Sequence, residues 1–134
     1  MKVLLDTHLL LWILSDDKRL PKNARFFLDN EDIDFYYSVI SLWEIQMKHI
    51  SDSKNLPFTA EEIDDYCNRS GFKPLPLLPQ HIHAIDKLYR SEVFNEHKDP
   101  FDKLLIAQAE VENMIFLTHD DTLAYYTDNF IIVV

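Results

Sequence analysis

The sequence predicts an α/β fold with a central, mainly parallel sheet. Short apolar runs rich in β-forming residues alternate with helical stretches along the 134 residues. Strands that are separated by helices imply a parallel sheet with helices on both faces. The chain is 47% hydrophobic and 27% charged, which is a globular composition, and its length suits one domain spanning residues 1–134.

The first half of the chain alternates between strand and helix signals. A short apolar strand at Val3–Leu5 is followed directly by a helix over 7–15. A second helix is predicted over 21–30, because its proline is well placed at a first helical position. The aromatic-rich run 33–38 is typical of a strand, and a third helix follows it over 41–50.

The second half continues this alternation. Thr59 and Glu62 form a capping-box pair for a fourth helix, and Gly71 suits the C-terminal end of that helix. Residues 72–77 are extended, and their two prolines favour an edge strand or no strand. The remaining predicted elements are helices over 79–89, 99–113 and 120–127 and strands over 114–118 and 130–134.

Composition excludes several classes of function. With 13 basic and 23 acidic residues the formal net charge is −10, which argues against a general basic surface for nucleic acid. This charge does not exclude an enzyme that meets phosphates through divalent cations. A single glycine rules out glycine-rich phosphate loops, and a single cysteine rules out an internal disulfide. The longest apolar run, over 9–14, is too short for a membrane span, so we expect a cytoplasmic protein.

Acidic residues follow the predicted strands. Asp6 comes directly after the first strand, and Asp120 follows the strand over 114–118 after one intervening residue. Both are therefore expected at the carboxyl edge of the sheet, where open parallel sheets bind ligands. Glu44 is expected in the first turn of the third helix, on the same edge. Asp102 opens the helix before the 114–118 strand, and we expect that helix to start at the opposite end of the sheet, away from the other acids.

Each of these acids also has a purely structural interpretation. Ser41 and Glu44 fit a capping box, and Asp102 is the third residue of a helix that Asp99 can cap. Asp6 is harder to explain in this way, because it lies between an apolar strand and an apolar helix and is expected to be partly buried. A buried carboxylate needs a partner or a metal ion.

Four segments stand in order along essentially the whole chain: LLDTH over 4–8, SLWEI over 41–45, DPFDKLLIAQA over 99–109 and LTHD over 117–120. Together they resemble the motifs of PIN-domain nucleases, and within that family the VapC-type toxins of bacterial type II toxin–antitoxin pairs. The resemblance implies a three-layer α/β/α PIN-like fold, metal-dependent cleavage of RNA and a partner antitoxin. It also implies that four acids converge on one pocket: Asp6, Glu44, Asp102 and Asp120.

Two positions depart from the family's pattern. Lys98 and His119 stand where the family often has arginine, which implies a weaker contact to phosphate. The resemblance maps the family's fourth acid to Asp120, and whether the neighbouring Asp121 shares its role stays open.

Carboxylates with no softer ligands suit Mg²⁺, and Mn²⁺ is possible. A bound cation would lower the pKa of a water ligand and offset the charge of the scissile phosphate. As a hypothesis, Asp6 and Asp102 bind the first metal directly, while Glu44 and Asp120 bind a second metal or orient waters. Candidates for supporting hydrogen bonds are Thr7, Ser41, Asp99 and Thr118. Of these, Asp99 is better explained as a helix cap than as a metal ligand.

Two other functions stay open from the residues alone. One is a phosphohydrolase with Asp6 as nucleophile, although such enzymes commonly carry a second acid where this chain has His8. The other is a PIN fold that binds RNA or protein without catalysis. The apolar helix around 9–14 needs cover on more than one side. The resemblance suggests a groove for the antitoxin, in a hetero-oligomer, or a homodimer surface, with Trp12 and Trp43 as participants.

Overall fold

The computed structural model describes residues 1–89, 99–125 and 129–134. One sheet of five strands forms its centre, and every recorded strand pairing in it is parallel, as predicted. The strands are β1 (Lys2–Leu5), β2 (Asp34–Ser38), β3 (Lys73–Leu75), β4 (Ile115–Thr118) and β5 (Ile131–Val133). Their order across the sheet is β3-β2-β1-β4-β5, so the two strands that follow β1 in the chain lie on one side of it and the last two on the other.

Helices follow the strands in the predicted alternation. They are α1 (Thr7–Leu14), α2 (Lys22–Leu28), α3 (Val39–Ser51), α4 (Ala60–Arg69), α5 (Pro79–Tyr89) and α6 (Pro100–Val111). A short 3₁₀ helix, Asp121–Tyr125, takes the place of the helix predicted over 120–127, whose predicted end lies outside the described residues. Lys98 also lies outside them. None of the helices in the described ranges has the length and apolar character that crossing a membrane requires.

Two hydrophobic cores lie on opposite faces of the sheet. Within β1, Val3 and Leu5 belong to one core and Leu4 to the other, as the alternation of side chains along a strand requires. The first core also takes buried residues from α1, α2 and α4, and the second from α5 and α6. The fold is therefore the expected three-layer α/β/α arrangement.

The start of α3 differs from the prediction. The helix begins at Val39, and its cap is Ser38, whose hydroxyl accepts a hydrogen bond of 3.0 Å from the amide of Ile40. Ser41 therefore lies inside the first turn, and Glu44 falls in the second turn instead of the first. The predicted capping box of Ser41 and Glu44 is wrong, because another serine three residues earlier already satisfies the amides of the helix start.

Other predicted boundaries hold more closely. The capping box of Thr59 and Glu62 is present at the start of α4, and Gly71 follows the end of that helix with φ of +81°, a value that favours glycine. Pro21 caps α2 and does not occupy its first helical position. Pro74 lies in β3 at the edge of the sheet, where a missing amide donor is tolerated.

The direction of α6 overturns one expectation. Only residues 112–114 separate α6 from β4, and Asn113 turns the chain there with φ of +56°. Because α6 runs back along the sheet before β4 starts, its first turn lies at the carboxyl edge of the strands. The expectation that Asp102 lies at the opposite end of the sheet is therefore wrong: a helix antiparallel to the strand that follows it must start where that strand ends.

Candidate active site

The order of the strands creates a crevice at the carboxyl edge beside β1. The chain leaves β1 toward β2 on one side and returns to β4 on the other, which is the switch point at which open α/β sheets bind ligands. Leu5 pairs with Leu117 in the register of β1 and β4, and the amide of Asp6 donates a 3.0 Å hydrogen bond to the carbonyl of Leu117. Asp6 and the residues after Thr118 therefore leave the sheet side by side.

A cavity of about 270 Å³ occupies this edge. Asp6, Asp102 and Asp120 line it, together with Asp99, His8, Trp12 and His119. The structure thus brings three of the four candidate acids to one cavity, although they are far apart in the sequence. Neither lysine nor arginine is among the described residues that line this cavity.

The carboxylate of Asp6 is buried, with 5% of the residue exposed. Its Oδ1 caps α1 by accepting a 2.7 Å hydrogen bond from the amide of Leu9. Its Oδ2 accepts from the hydroxyl of Thr118 and, at 3.1 Å, from the amide of His119. Burial raises the pKa of Asp6, while these hydrogen bonds and the nearby His8 act in the opposite direction. Since all three donors are neutral, a cation in the cavity would relieve the cost of burying this charge.

Thr118 connects Asp6 to Asp120. Its hydroxyl donates to Asp6 and accepts a 3.1 Å hydrogen bond from the amide of Asp120. The Oδ1 atom of Asp120 accepts from the amide of Thr122 at 3.0 Å and from its hydroxyl at 2.6 Å, which fixes the carboxylate at the start of the 3₁₀ helix. Asp121 is exposed and is not among the described residues that line the cavity, so Asp120 is the one of the two that shares the cavity with the other acids.

The first turn of α6 carries the third acid. Asp99 caps this helix by accepting a 2.9 Å hydrogen bond from the amide of Phe101, as its sequence position suggested. Asp102 is the third residue of the helix and is partly buried. A carboxylate in the first turn lies in the positive end of the helix dipole, which favours its ionised form.

Glu44 is buried, with 4% of the residue exposed, but it does not line the cavity of the other three acids. Its Oε2 accepts a 2.7 Å hydrogen bond from Nζ of Lys48, one turn later in α3. The helix is nevertheless tied to the site. The hydroxyl of Ser41 lies 2.9 Å from that of Thr7, next to Asp6, and the Trp43 ring packs edge-on against Phe101 at 5.2 Å.

The chemistry of this donor set fits a hard divalent cation, because four carboxylates line one cavity. The most buried of them, that of Asp6, accepts hydrogen bonds from neutral donors among the described residues. In the described parts of the chain, however, no three His, Cys, Asp or Glu side chains are close enough together to hold a metal ion. A cation would therefore have to draw the carboxylates inward from the hydrogen bonds that now fix them.

A second, larger cavity of about 690 Å³ lies against α1 and the segment that joins α3 to α4. It shares His8 and Trp12 with the carboxylate cavity, so the two meet at these side chains. The centroid of the Trp12 ring lies 5.3 Å from the centroid of the His119 ring and 5.3 Å from the guanidinium carbon of Arg19. Sequence reasoning missed Lys48, which also lines this cavity; the spacing of four residues from Glu44 was the available signal.

Comparison with known proteins agrees with this architecture. A family model described as PIN domain matches residues 3–128. No curated protein matches the sequence. Among solved structures, VapBC2 from Rickettsia felis bound to a promoter DNA fragment has a TM-score of 0.68 at 16% identity, covering 100% of this chain and 98% of that one. DNA-bound VapBC from Salmonella typhimurium has a TM-score of 0.66 at 18% identity, and the match covers 99% of this chain and 98% of that one. A toxin–antitoxin complex from Klebsiella pneumoniae has a TM-score of 0.64 at 16% identity, and the match covers 98% of this chain and 96% of that one. At these identities the likeness shows the fold.

Proposed function

Since the chain belongs to the PIN domain family, we propose that it is a Mg²⁺-dependent endoribonuclease and the VapC-type toxin of a toxin–antitoxin pair. The observation that carries the proposal is the shared cavity of Asp6, Asp102 and Asp120, which come from three distant segments and meet at the switch point of the sheet. Unrelated capping roles would give no reason for these three acids to line one cavity.

The four acidic residues would have different roles in such a site. Asp6 and Asp102 would hold the first cation, and Asp120 and Glu44 would hold a second or orient waters. A bound Mg²⁺ or Mn²⁺ supplies an activated water and offsets phosphate charge. The hydrogen bonds from Thr118 and two main-chain amides lower the pKa of Asp6 and so oppose the larger effect of burial, which raises it.

Nuclease assays of the purified protein test the proposal. With mixed RNA and Mg²⁺ we expect cleavage that EDTA abolishes, and Asp6→Asn and Asp102→Asn should each lose at least about tenfold in rate. Asp121→Asn is the matched control, because this acid is exposed and outside the cavity. Cleavage that survives chelation, or equal loss in the control, would rule out the proposed chemistry. An aspartyl-phosphate trapped on Asp6 would point to a phosphohydrolase instead.

We propose that the larger cavity is the binding site for a segment of the antitoxin. Its walls are mainly apolar, it adjoins the carboxylate cavity at Trp12, and the similar solved structures are complexes of toxins with antitoxins.

Expression of the wild type in the bacterial cytoplasm should arrest growth, and expression of Asp6→Asn should not. Equal growth arrest by both proteins would contradict the toxin role.

A homodimer is proposed on the outer face of α3. Trp43, Met47 and Ile50 recur there at helical spacing and are 56%, 51% and 70% exposed. Large apolar side chains grouped on one exposed helix face are typical of an interface. Met47→Glu should shift the protein from dimer to monomer in sedimentation velocity, whereas Phe26→Glu, at an exposed apolar side chain on α2, should not.

A further inference from the structure

Glu44, to which the proposed function gives a role in binding metal or water, forms an ion pair with Lys48, to which it gives none. The pair spans one turn of α3, with Nζ and Oε2 2.7 Å apart. Its two sides differ in environment, because the side chain of Glu44 is 5% exposed and that of Lys48 is 50% exposed. Glu44 is therefore fixed in the interior, while Lys48 reaches it from the larger cavity.

The ammonium group provides the positive charge that a buried carboxylate requires. A divalent cation at the same carboxylate would provide it too, and the two positive charges would repel each other if both were bound there. From this geometry we propose that Lys48 is a positioning residue that competes with the divalent cation for Glu44 and so lowers the affinity of the site for metal. This inference rests on the proposed function.

Displacement of Lys48 from Glu44 by a cation should cost little free energy. The side chain is half exposed and flexible, so its ammonium regains water when it leaves Glu44, and pairs with an exposed partner contribute little stability. Asp52 also lines the larger cavity and offers the released ammonium another carboxylate. Among the described residues, Glu44 pairs with Lys48 and does not line the carboxylate cavity.

Direct binding of Mn²⁺, measured by electron paramagnetic resonance at one fixed pH and ionic strength, tests the inference without any activity assay. Lys48→Met should lower the Kd for Mn²⁺ about two- to fivefold, the factor that corresponds to a half-exposed ion pair. Lys48→Arg should keep the wild-type Kd. Lys54→Met removes the same charge from an exposed position and serves as the matched control, with a change of less than about 1.5-fold expected.

A variant of Glu44 makes the test specific. In a Glu44→Gln background the carboxylate is gone, so the further change Lys48→Met should no longer tighten Mn²⁺ binding. Unchanged or weaker binding in Lys48→Met, with a native circular dichroism spectrum, would overturn the inference, as would an equal gain in Lys54→Met. Mn²⁺ binding that is insensitive to Asp6→Asn would overturn the proposed function instead, and an absence of Mn²⁺ binding in all variants would overturn both.

Discussion

Replacing Thr118 with valine should lower the free energy of unfolding by about 2–4 kcal/mol near neutral pH. The residue is 1% exposed, and valine has nearly the same shape, so the loss comes from the hydroxyl and not from a cavity. That hydroxyl donates to the buried carboxylate of Asp6, a hydrogen bond to a charged group worth about 1.5–3 kcal/mol. It also accepts from the amide of Asp120, for about 1 kcal/mol more.

Urea unfolding of the two proteins measures this difference, and Thr118→Ser is the control. Serine keeps the hydroxyl and loses one methyl group, so it should cost about 1 kcal/mol. The loss in free energy of unfolding of the valine variant should be smaller at acid pH, because a protonated Asp6 no longer needs a donor. A valine variant within about 0.5 kcal/mol of the wild type, or a serine variant that is equally destabilised, would refute the reasoning.

Three further changes have defined outcomes. Burial raises the folded pKa of Asp6 above its unfolded value, so its contribution to stability is present below the unfolded pKa and is lost as pH rises through the folded pKa. The urea midpoint of the wild type should therefore fall relative to Asp6→Asn as pH rises from the unfolded to the folded pKa of Asp6, and parallel curves would contradict this. Gly71→Ala should cost about 1–2 kcal/mol in thermal unfolding, because φ is +81° there while an added Cβ meets nothing within 4 Å. No loss would mean that the turn relaxes freely. Tyr37→Phe should cost about 1–3 kcal/mol by urea unfolding, because a buried ring loses its 2.6 Å hydrogen bond to Asp64; a neutral result would show that solvent replaces that bond.

Local signals in the sequence were sufficient for most of the fold. Short apolar runs marked the strands, and proline, glycine and capping residues marked helix ends, because these depend on neighbouring residues. The start of α3 was predicted wrongly for a related reason. Ser38 and Ser41 are both acceptable caps in sequence, and only the end of β2 decides which of them the helix uses.

The candidate site was predictable in part. The positions of Asp6 and Asp120 follow from the rule that parallel strands end at one edge, and the same rule places Asp102 there once the direction of α6 is followed correctly. The hydrogen bond from Thr118 to Asp6 joins residues 112 apart in sequence, so no local pattern reveals it. The pairing of Glu44 with Lys48 depends on side-chain conformations, which the spacing alone does not determine.

The contact between the two cavities at Trp12 gives the protein a built-in optical reporter. An indole ring that borders both spaces should change its emission when either one fills, whether with an ion, a nucleotide or a peptide. The chain has two tryptophans, so Trp43→Phe leaves the signal to Trp12 alone. Fluorescence titration of that variant can then follow the filling of each space in turn, without any label attached to the ligand.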